Sequence, residues 1–211
     1  GMGNGTRILA IRHGETAWNV DTRIQGQLDI PLNDTGRWQA GRVAEALAGE
    51  DIAAIYASDL VRAADTAAAI SLRTGLPVIH DQGLRERRFG LFQGRTVAEI
   101  EAIHPDLVRR WKSREPDFQP EGAESLRVFY QRSVDAAERL AAAHPGETVV
   151  LVAHGGVLDC LYRAACGMPI EAPRTWQLGN ASINRLLFTG ERLTMIGWGD
   201  IQHLEGDALE E

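Results

Sequence analysis

The stretch that decides the fold class of this chain is RILAIRHGET, residues 7–16. The apolar run that follows Arg7 ends at Ile11 and predicts a buried strand over residues 7–11. Arg12 and His13 then begin the loop at the carboxyl end of that strand, which is where ligands bind in open α/β sheets. An arginine beside a histidine offers a fixed cation and a nitrogen whose protonation changes near neutral pH. That pair suits a phosphoryl group, which needs charge to hold it and a nucleophile to attack it.

The rest of the chain alternates apolar runs with amphipathic or alanine-rich stretches. This pattern predicts an α/β fold, a three-layer sandwich in which a mostly parallel central sheet has helices on both faces. Further strands are predicted at 53–57, 77–80 and 148–153, and helices at 34–48, 59–74, 124–143 and 156–166. Residues 183–188 and 193–198 predict a hairpin at the end of the sheet. Its edge strand could pair with that of a second copy, so a homodimer is an alternative to a monomer.

The length of 211 residues, 44% of them hydrophobic, predicts a single domain over residues 1–211. Residues 104–125 mix proline, charge and Trp111 and interrupt the alternation of strands and helices. We interpret this segment as a small cap insertion above the carboxyl edge of the sheet, where it could cover a substrate. Just before it, Thr96 and Glu99 predict a capping box at the start of a short helix.

Composition argues against several classes of partner. The net charge of -7 argues against a nucleic-acid binder, which needs a broad basic surface. No apolar run approaches the ~20 residues of a membrane span, and no signal-peptide pattern is present, so we expect a cytoplasmic protein with no membrane partner. Cys160 and Cys166 lie six residues apart in a predicted helix, so reduced thiols are expected. The acidic tail at 205–211 is expected to be frayed.

The loop after the first predicted strand carries further polar groups. Asn19, Gln25 and Gly26 follow in the same loop and can donate hydrogen bonds to phosphate oxygens. At the end of the second predicted strand, either Ser58 or Asp59 is expected to N-cap the next helix.

Three further positions extend this pattern. Arg62 would lie in the first turn of the helix at 59–74, where its side chain and the positive helix end can both face an anion. Glu86 lies within LRERRFG at 84–90, and His154 is followed by Gly155 at the end of the fourth predicted strand. All these positions share one side of the predicted sheet, so we expect them to converge.

Together these motifs resemble the histidine phosphatase superfamily, in its phosphoglycerate-mutase-like branch. The matching stretches are RHGETAWN at 12–19, RIQGQLDIPLN at 23–33, SDLVRAADTA at 58–67, LRERRFG at 84–90, PEGAESL at 120–126 and VLVAHGG at 150–156. The resemblance as a whole covers residues 6 to about 200, nearly the whole chain. RHG alone is a weak signal, but RHG followed in order by the later Arg, the later Glu and HGG is specific.

The resemblance implies a role for each matching residue. His13 is the nucleophile that becomes phosphohistidine, and Glu86 gives a proton to the leaving oxygen and then serves as the base for water. Arg12, Arg62 and His154 hold the phosphoryl oxygens. With the loop residues added, the expected substrate-binding set is Arg12, Asn19, Gln25, Gly26, Arg62, His154 and Gly155. No metal and no organic cofactor is expected, since the sequence has neither a Cys-x-x-Cys motif nor a Cys/His cluster.

Phosphoryl transfer through His13 sets two physical conditions. The second ring nitrogen of His13 must donate to a fixed acceptor, expected to be a backbone carbonyl, so that the attacking nitrogen stays unprotonated. Glu86 must carry a proton when the leaving group departs. Three arginines surround Glu86 in sequence, so a local salt-bridge role is its alternative. A solvated surface position is favoured for Arg87, Arg88, Arg114 and Trp111.

Three functions compete at this point. The favoured one is a phosphomonoester hydrolase that acts on small phosphorylated metabolites through phosphohistidine, because RIQGQLDIPL resembles the phosphatase-like members and true mutases are longer. The alternative is a phosphoglycerate mutase, for which 2,3-bisphosphoglycerate would be the cofactor. A remote alternative is a non-catalytic phosphate-binding module, which should lack one of the key groups. Arg87 and Arg88 depart from the family pattern, and such extra cations would welcome a carboxylate or a second phosphate on the substrate.

Overall fold

A computed structural model describes residues 4–206, so residues 1–3 and most of the acidic tail, 207–211, lie outside the described residues. The strands are β1 Thr6–Arg12, β2 Ala54–Ala57, β3 Val78–His80, β4 Thr148–Ala153, β5 Ile183–Phe188 and β6 Leu193–Asp200. They form one sheet in the order β3-β2-β4-β1-β5-β6. The first four strands are parallel, whereas β5 pairs antiparallel with both β1 and β6. The predicted, mostly parallel α/β sheet with a terminal hairpin is confirmed.

Helices cover both faces of this sheet, which confirms the three layers. The α-helices within residues 4–206 are α1 Ala17–Val20, α2 Asp34–Ala46, α3 Val61–Thr74, α4 Val97–Ile103, α5 Pro105–Lys112, α6 Leu126–Ala142 and α7 Gly155–Cys166. α2 and α3 bury apolar side chains against one face, and α6 and α7 against the other.

The alternation of side chains along β1 explains why both faces are covered. Ile8 and Ala10 point into the core beneath α6 and α7, whereas Leu9 and Ile11 point into the core beneath α2 and α3. Successive side chains of a strand point to opposite faces, so a strand that is apolar at every position needs a helical layer on each side. The four side chains are between 0% and 5% exposed.

The end of β1 and the start of α3, where predicted site residues lie, differ from the prediction in detail. β1 continues through Arg12, so this residue ends the strand instead of beginning the loop. α3 begins at Val61, and its N-cap residue is Leu60, which makes no side-chain cap bond. Neither Ser58 nor Asp59 caps the helix as predicted: Asp59 pairs with Arg85, and Ser58 bonds to His154 and to the backbone N–H of Leu60, which lies before the first helical residue.

A small hydrophobic cluster stands apart from the two main cores, and we call it the cap cluster. It consists of the buried Phe92, Ile100 and Val108 with Phe89 and Trp111 packed against them. The Trp111 ring meets Phe89 and Phe92 edge-on, with ring centroids 6.0 and 5.5 Å apart. Trp111 is therefore half-buried, and the predicted solvated position is wrong for this side chain.

The segments that build the cap cluster begin before the predicted insertion at 104–125. Thr96 and Glu99 form the expected capping box at the start of α4. Pro105 begins α5, so the first third of the insertion is helical although its sequence is irregular.

The two cysteines and the edge strand agree with the pattern read from the sequence. Cys160 and Cys166 are unpaired. β6 forms one edge of the sheet, and its Ile196 is 54% exposed. In the part of the chain described, 4–206, no helix combines the length and the apolar character needed to cross a membrane.

Candidate active site

The carboxyl ends of three neighbouring parallel strands bring the predicted residues together. β4 lies between β1 and β2, so His13 after β1, Ser58 after β2 and His154 after β4 meet at one edge of the sheet. The ring centroids of His13 and His154 are 5.2 Å apart. A pocket of about 180 Å³ opens beside them, and its lining comprises Arg12, His13, Asn19, Arg23, Ile24, Gln25, Gly26, Arg62, Glu86 and Phe89.

Hydrogen bonding fixes the tautomer of His13. Its Nδ1 lies 2.6 Å from the carbonyl oxygen of Gly14, and because a carbonyl can only accept, Nδ1 carries the proton. Burial lowers the pKa of His13 well below its ordinary value, and the nearby Arg12 and Arg62 lower it further. The imidazole is therefore neutral, and Nε2 keeps its lone pair. This is the arrangement expected for a histidine nucleophile: one ring nitrogen donates to a backbone carbonyl and the other stays unprotonated.

The two arginines are anchored by backbone carbonyls. Arg12 donates through Nη1 to Leu178 O. Arg62 donates through Nη1 to Leu28 O and through Nη2 to Gly26 O, both at 2.6 Å. Gly26 can present its carbonyl in this direction because it adopts a positive φ of 55°.

Both guanidinium groups retain donors for an anion. Nε of Arg12 and Nε of Arg62 are buried and have no hydrogen-bond partner among residues 4–206. Burial lowers the pKa of Arg62 to about 10, which still leaves it a cation at neutral pH. A phosphoryl group supplies the acceptors that these buried donors need.

Ser58 determines what His154 can offer. Nε2 of His154 is 2.8 Å from Ser58 Oγ, which also accepts a bond from the backbone N–H of Leu60. With its oxygen accepting from Leu60, the Ser58 hydroxyl is free to donate its proton to His154 Nε2. When Ser58 donates to Nε2, the proton of a neutral His154 lies on Nδ1, a buried atom with no partner among residues 4–206.

The charge of His154 follows from its surroundings. Burial lowers the pKa of His154 well below its ordinary value, and the cationic Arg62 and Arg12 lower it further. In the protein without substrate the imidazole is neutral, so its contribution to anion binding is the Nδ1–H that Ser58 favours.

The side chains of Asn19 and Gln25 are oriented by Thr16, which is fully buried. The Thr16 hydroxyl lies 2.9 Å from Gln25 Oε1 and 3.2 Å from Asn19 Oδ1, and the Thr16 backbone N–H also donates to Asn19 Oδ1. Asn180 adds a donor to the same oxygen and a second bond to the carbonyl of His13. With both amide oxygens engaged, the NH₂ groups of Asn19 and Gln25 are left as the donors for the pocket that they line.

Glu86 faces the same pocket but is held differently. Its Oε1 accepts from the backbone N–H of Arg87 at 2.9 Å, and its Oε2 accepts from the backbone N–H of Gly156 at 3.0 Å. No ion pair among residues 4–206 involves Glu86, because Arg85 pairs with Asp59. The salt-bridge alternative for Glu86 is therefore not supported. Each carboxylate oxygen keeps a second lone pair, so the group can still exchange a proton with a substrate.

Gly156, rather than Gly155, is the glycine on which Glu86 depends. A Cβ at position 156 would lie 2.2 Å from Glu86 Oε1, whereas one at Gly155 would lie 3.3 Å from Arg12 Nε. Only glycine at 156 allows the carboxylate to reach the backbone N–H of α7.

Sequence reasoning missed several contributors to the site. Asn180 comes from the loop before β5, Arg23 lies in the loop after α1, and Phe89 lies in the connection between β3 and α4. The two consecutive glycines after His154 could have indicated the role of Gly156. Asn180, Phe89 and Arg23 lie in no local sequence pattern that would identify them.

The described residues offer little to a metal ion. Within 4–206, no group of three or more His, Cys, Asp or Glu side chains is placed to hold one. A wider depression of about 530 Å³ lies at the amino ends of β1 and β4, near Arg7 and Thr148. It contains none of the predicted site residues.

A neutral histidine nitrogen surrounded by buried guanidinium donors defines an enzyme that takes a phosphoryl group onto histidine. Comparison with known proteins specifies the class. The model of the histidine phosphatase superfamily (branch 1) matches residues 8–201. Phosphoglycerate mutase-like protein 4 of Arabidopsis thaliana is 44% identical over 202 residues, which cover 94% of this chain and 86% of that protein.

Two further relatives are named phosphatases. The metal-independent phosphoserine phosphatase of Arabidopsis thaliana is 39% identical over 202 residues, covering 94% of this chain and 83% of that protein. The solved structure of mycobacterial glucosyl-3-phosphoglycerate phosphatase with VO3 is 38% identical, with a TM-score of 0.82, and covers 92% of this chain and 98% of that one. This chain belongs to the histidine phosphatase superfamily, and the predicted phosphatase class is confirmed.

Proposed function

We propose that the protein hydrolyses small phosphorylated metabolites in two steps, with His13 as the covalent carrier. The observation that carries this proposal is the bond from His13 Nδ1–H to Gly14 O, because it leaves a neutral Nε2 in the pocket. In the first step Nε2 attacks phosphorus, the bond from phosphorus to the alcohol oxygen breaks, and Glu86 protonates that oxygen.

In the second step Glu86, now a carboxylate, takes a proton from water. The water oxygen attacks phosphorus, the bond from phosphorus to Nε2 breaks, and inorganic phosphate leaves. Arg12, Arg62 and His154 would hold the three remaining oxygens in both steps, because each has a buried nitrogen without a partner among residues 4–206 that an anionic oxygen would satisfy.

The partners and location follow as proposals from the same composition and geometry. We propose a small phosphorylated substrate, no metal or organic cofactor, and a cytoplasmic protein with reduced thiols. The unpaired cysteines support the last point. Pairing through the β6 edge would give a homodimer. Full activity in the presence of a chelator is the expected outcome, and inactivation that added metal reverses would contradict the metal-free proposal.

The deciding experiment follows the products by phosphorus NMR. The purified protein is mixed with 3-phosphoglycerate, O-phosphoserine and other small phosphate esters, with and without 2,3-bisphosphoglycerate. We expect inorganic phosphate and no isomerised ester. His13→Ala should lower the rate about a thousandfold or more, whereas His80→Ala, an exposed histidine at the end of β3, should not change it.

Two outcomes would overturn the proposal. Rapid formation of 2-phosphoglycerate with little free phosphate would establish the mutase alternative. Equally slow phosphate release by the wild type and by His13→Ala would favour the non-catalytic phosphate-binding module.

A further inference from the structure

The residues from 83 to 88, which we call the Glu86 segment, are joined to Glu124 just before α6. Arg87 is 5% exposed, so its predicted surface position is wrong, and its Nε donates to the carbonyl oxygen of Glu124 at 3.0 Å. The backbone N–H of Arg88 donates to Glu124 Oε1, and the backbone N–H of Glu124 donates to the carbonyl oxygen of Arg88. Glu124 therefore fixes the carboxyl half of this segment.

A single side chain of α6 holds the rest of the segment. The guanidinium of Arg132 donates to three backbone carbonyl oxygens, those of Gly83, Arg85 and Glu86, at 3.0, 2.8 and 3.2 Å. It also donates to both carboxylate oxygens of Glu124, at 2.7 and 3.0 Å. A guanidinium has five N–H donors, so Arg132 uses all of them on the Glu86 segment and on the carboxylate beside it.

A second arginine of α6 supports the start of the same segment. Arg139 donates to Asp81, whose side chain accepts from the backbone N–H of Gly83. Arg132 and Arg139 are seven residues apart, about two helical turns, so they lie on one face of α6. The helix also packs apolar side chains into one of the two main cores, which gives the segment a rigid support.

Glu124 supplies the counter-charge for Arg132. Burial by itself would raise the pKa of Glu124, but hydrogen bonds from Arg132 and from the Arg88 backbone outweigh burial and hold that pKa below its ordinary value. The pair is therefore ionised at neutral pH. Because Glu124 neutralises the guanidinium, Arg132 can hold the backbone of Glu86 without placing an unpaired cation beside an acid that must carry a proton.

We propose that Arg132 is a positioning residue for the reaction: it fixes the backbone of Glu86 so that the carboxyl group of Glu86 meets the leaving oxygen. The pocket lining includes Glu86 but not Arg132, so Arg132 acts through Glu86. Such support matters because a displacement of about 1 Å in a reacting group can cost about a hundredfold in rate. This inference rests on the proposed phosphatase function and concerns the step in which Glu86 gives up its proton.

The dependence of rate on the leaving group tests the proposal. The oxygen that leaves an alkyl phosphate needs a proton, whereas that of 4-nitrophenyl phosphate does not. Arg132→Gln combined with Glu124→Gln removes the carbonyl bonds without leaving an unpaired buried charge. We expect kcat/KM for the best alkyl ester to fall about tenfold to a hundredfold, and that for 4-nitrophenyl phosphate to fall less than about threefold.

Arg127→Gln is the matched control, since Arg127 is an exposed arginine of the same helix that pairs with Asp117. It should leave both rates as in the wild type. Arg132→Lys keeps the charge opposite Glu124 but has only three donors, so its loss on the alkyl ester should be smaller. Circular dichroism of each variant shows that it is folded, and Arg132→Lys keeps the test valid if the double variant does not fold.

Glu86→Gln tests whether Arg132 acts through Glu86. Once the proton donor is gone, adding Arg132→Gln and Glu124→Gln should lower kcat/KM for the alkyl ester by less than about threefold more. Losses that multiply in full would show that Arg132 acts on another part of the site, and would overturn the inference.

The remaining outcomes separate this inference from the proposed function. Equal losses for the alkyl and the aryl ester in the double variant would make Arg132 structural and overturn the inference, while the phosphatase function would stand. Unchanged kinetics with both esters would overturn it in the same way. Failure of the wild type to release phosphate from any ester would instead contradict the phosphatase function, and this inference with it.

Discussion

The two walls of the active-site pocket are built in different ways. The phosphate wall, Arg12, His13, Arg62 and His154, lies where the sheet and the long helices begin or end. Its side chains are fixed by backbone carbonyls or, for His154, by Ser58. The alcohol wall consists of Glu86 and Phe89, with Arg87 and the rest of the cap cluster packed behind them, and comes from short helices and irregular segments.

This difference assigns separate tasks to the two walls. Groups held by the main chain of deep elements need no reorganisation when charge develops on the phosphoryl group, so the chemistry resides in the phosphate wall. The alcohol wall rests on a small core of its own, so its side chains other than Glu86, the proton donor, can change without disturbing that chemistry. Changes in the phosphate wall should therefore lower activity on every ester, whereas changes in the rest of the alcohol wall should alter which ester is preferred.

Among the changes that compare the two walls, the largest effect is expected where the walls touch, at Gly156. Gly156→Ala places a Cβ against Glu86 Oε1 and removes the contact of the carboxylate with α7. We expect kcat for alkyl phosphates to fall about a hundredfold or more, as for the loss of a general acid. The loss should be smaller for 4-nitrophenyl phosphate, because its leaving group needs no proton. Steady-state kinetics with both substrates gives the comparison.

Gly41→Ala is the control, since nothing lies within 4 Å of a Cβ at that position in α2. It should leave kcat unchanged. Combining Gly156→Ala with Glu86→Gln should cost little more than either change alone, because both remove the same function. Additive losses would show that Gly156 acts on something other than Glu86.

Sequence patterns predicted the phosphate wall well, because its residues adjoin long apolar runs. β1 and β4 are recognisable from six or seven residues each, and His13 and His154 follow them directly. The tautomer of His13 was also predictable. The attacking nitrogen must be unprotonated, so the other ring nitrogen carries the proton and donates it to a fixed acceptor such as a backbone carbonyl.

The alcohol wall was predicted poorly for a physical reason. The bond from Gly156 N to Glu86 joins residues 70 positions apart, and the carbonyl that fixes Arg87 lies 37 positions away. Local periodicity carries no information on such pairs. Trp111 and Arg87 look like surface residues in their own segments, and only tertiary packing buries them.

A smaller loss of activity is expected from Ser58→Ala, which changes the residue that fixes His154 in the phosphate wall. Without the hydroxyl, His154 loses the donor at Nε2, and the proton is no longer directed to Nδ1. We expect kcat/KM to fall about tenfold for every ester, in line with one hydrogen bond to a charged group. Inhibition by inorganic phosphate should weaken in parallel, which a purely structural loss would not require.

Ser71→Ala provides the comparison, because the Ser71 hydroxyl also forms a hydrogen bond, here to the carbonyl oxygen of Leu76, but lies in the last turn of α3. Its kinetics should match the wild type. A Ser58→Ala enzyme with unchanged phosphate inhibition would show that His154 keeps its donor without Ser58.

The value of kcat/KM should depend only weakly on pH, because of the nucleophile in the phosphate wall. Because the pKa of His13 is lowered, Nε2 stays unprotonated as the pH falls through about 6.5, the ordinary histidine value. We expect kcat/KM to change only a few-fold between about pH 7.5 and pH 6. An acid limb centred near 6.5 would contradict a neutral, buried nucleophile.

The free energy of unfolding, unlike the rate, should decrease clearly over this pH range. His13 and His154 take up protons in the unfolded chain below about pH 6.5, but their lowered pKa values keep them neutral in the folded one. The unfolded state then binds more protons, so the free energy of unfolding falls as the pH drops below that value. Thermal melts across this range should show the decline. The His13→Gln variant with His154→Gln should flatten it.

The smallest effect on rate is expected in the cap cluster. Trp111→Ala removes the ring that supports Phe89 and Phe92, at a cost of about 1–3 kcal/mol in the free energy of unfolding for a half-buried aromatic side chain. Hydrolysis of 4-nitrophenyl phosphate should change by less than about threefold, because no phosphate-wall contact involves Trp111. For larger esters KM should rise, since Phe89 lines the pocket.

Trp38→Ala distinguishes this effect from a general loss of stability. Trp38 is also half-buried, but it lies on α2 beside Arg42, outside the cap cluster. If the walls act separately, Trp38→Ala lowers the melting temperature without a change in KM, whereas Trp111→Ala changes both. A large drop in kcat for 4-nitrophenyl phosphate in Trp111→Ala would mean that the cap cluster positions Glu86 or the phosphate wall. The division of tasks between the walls would then fail, because the cap cluster would take part in the chemistry as well as in substrate choice.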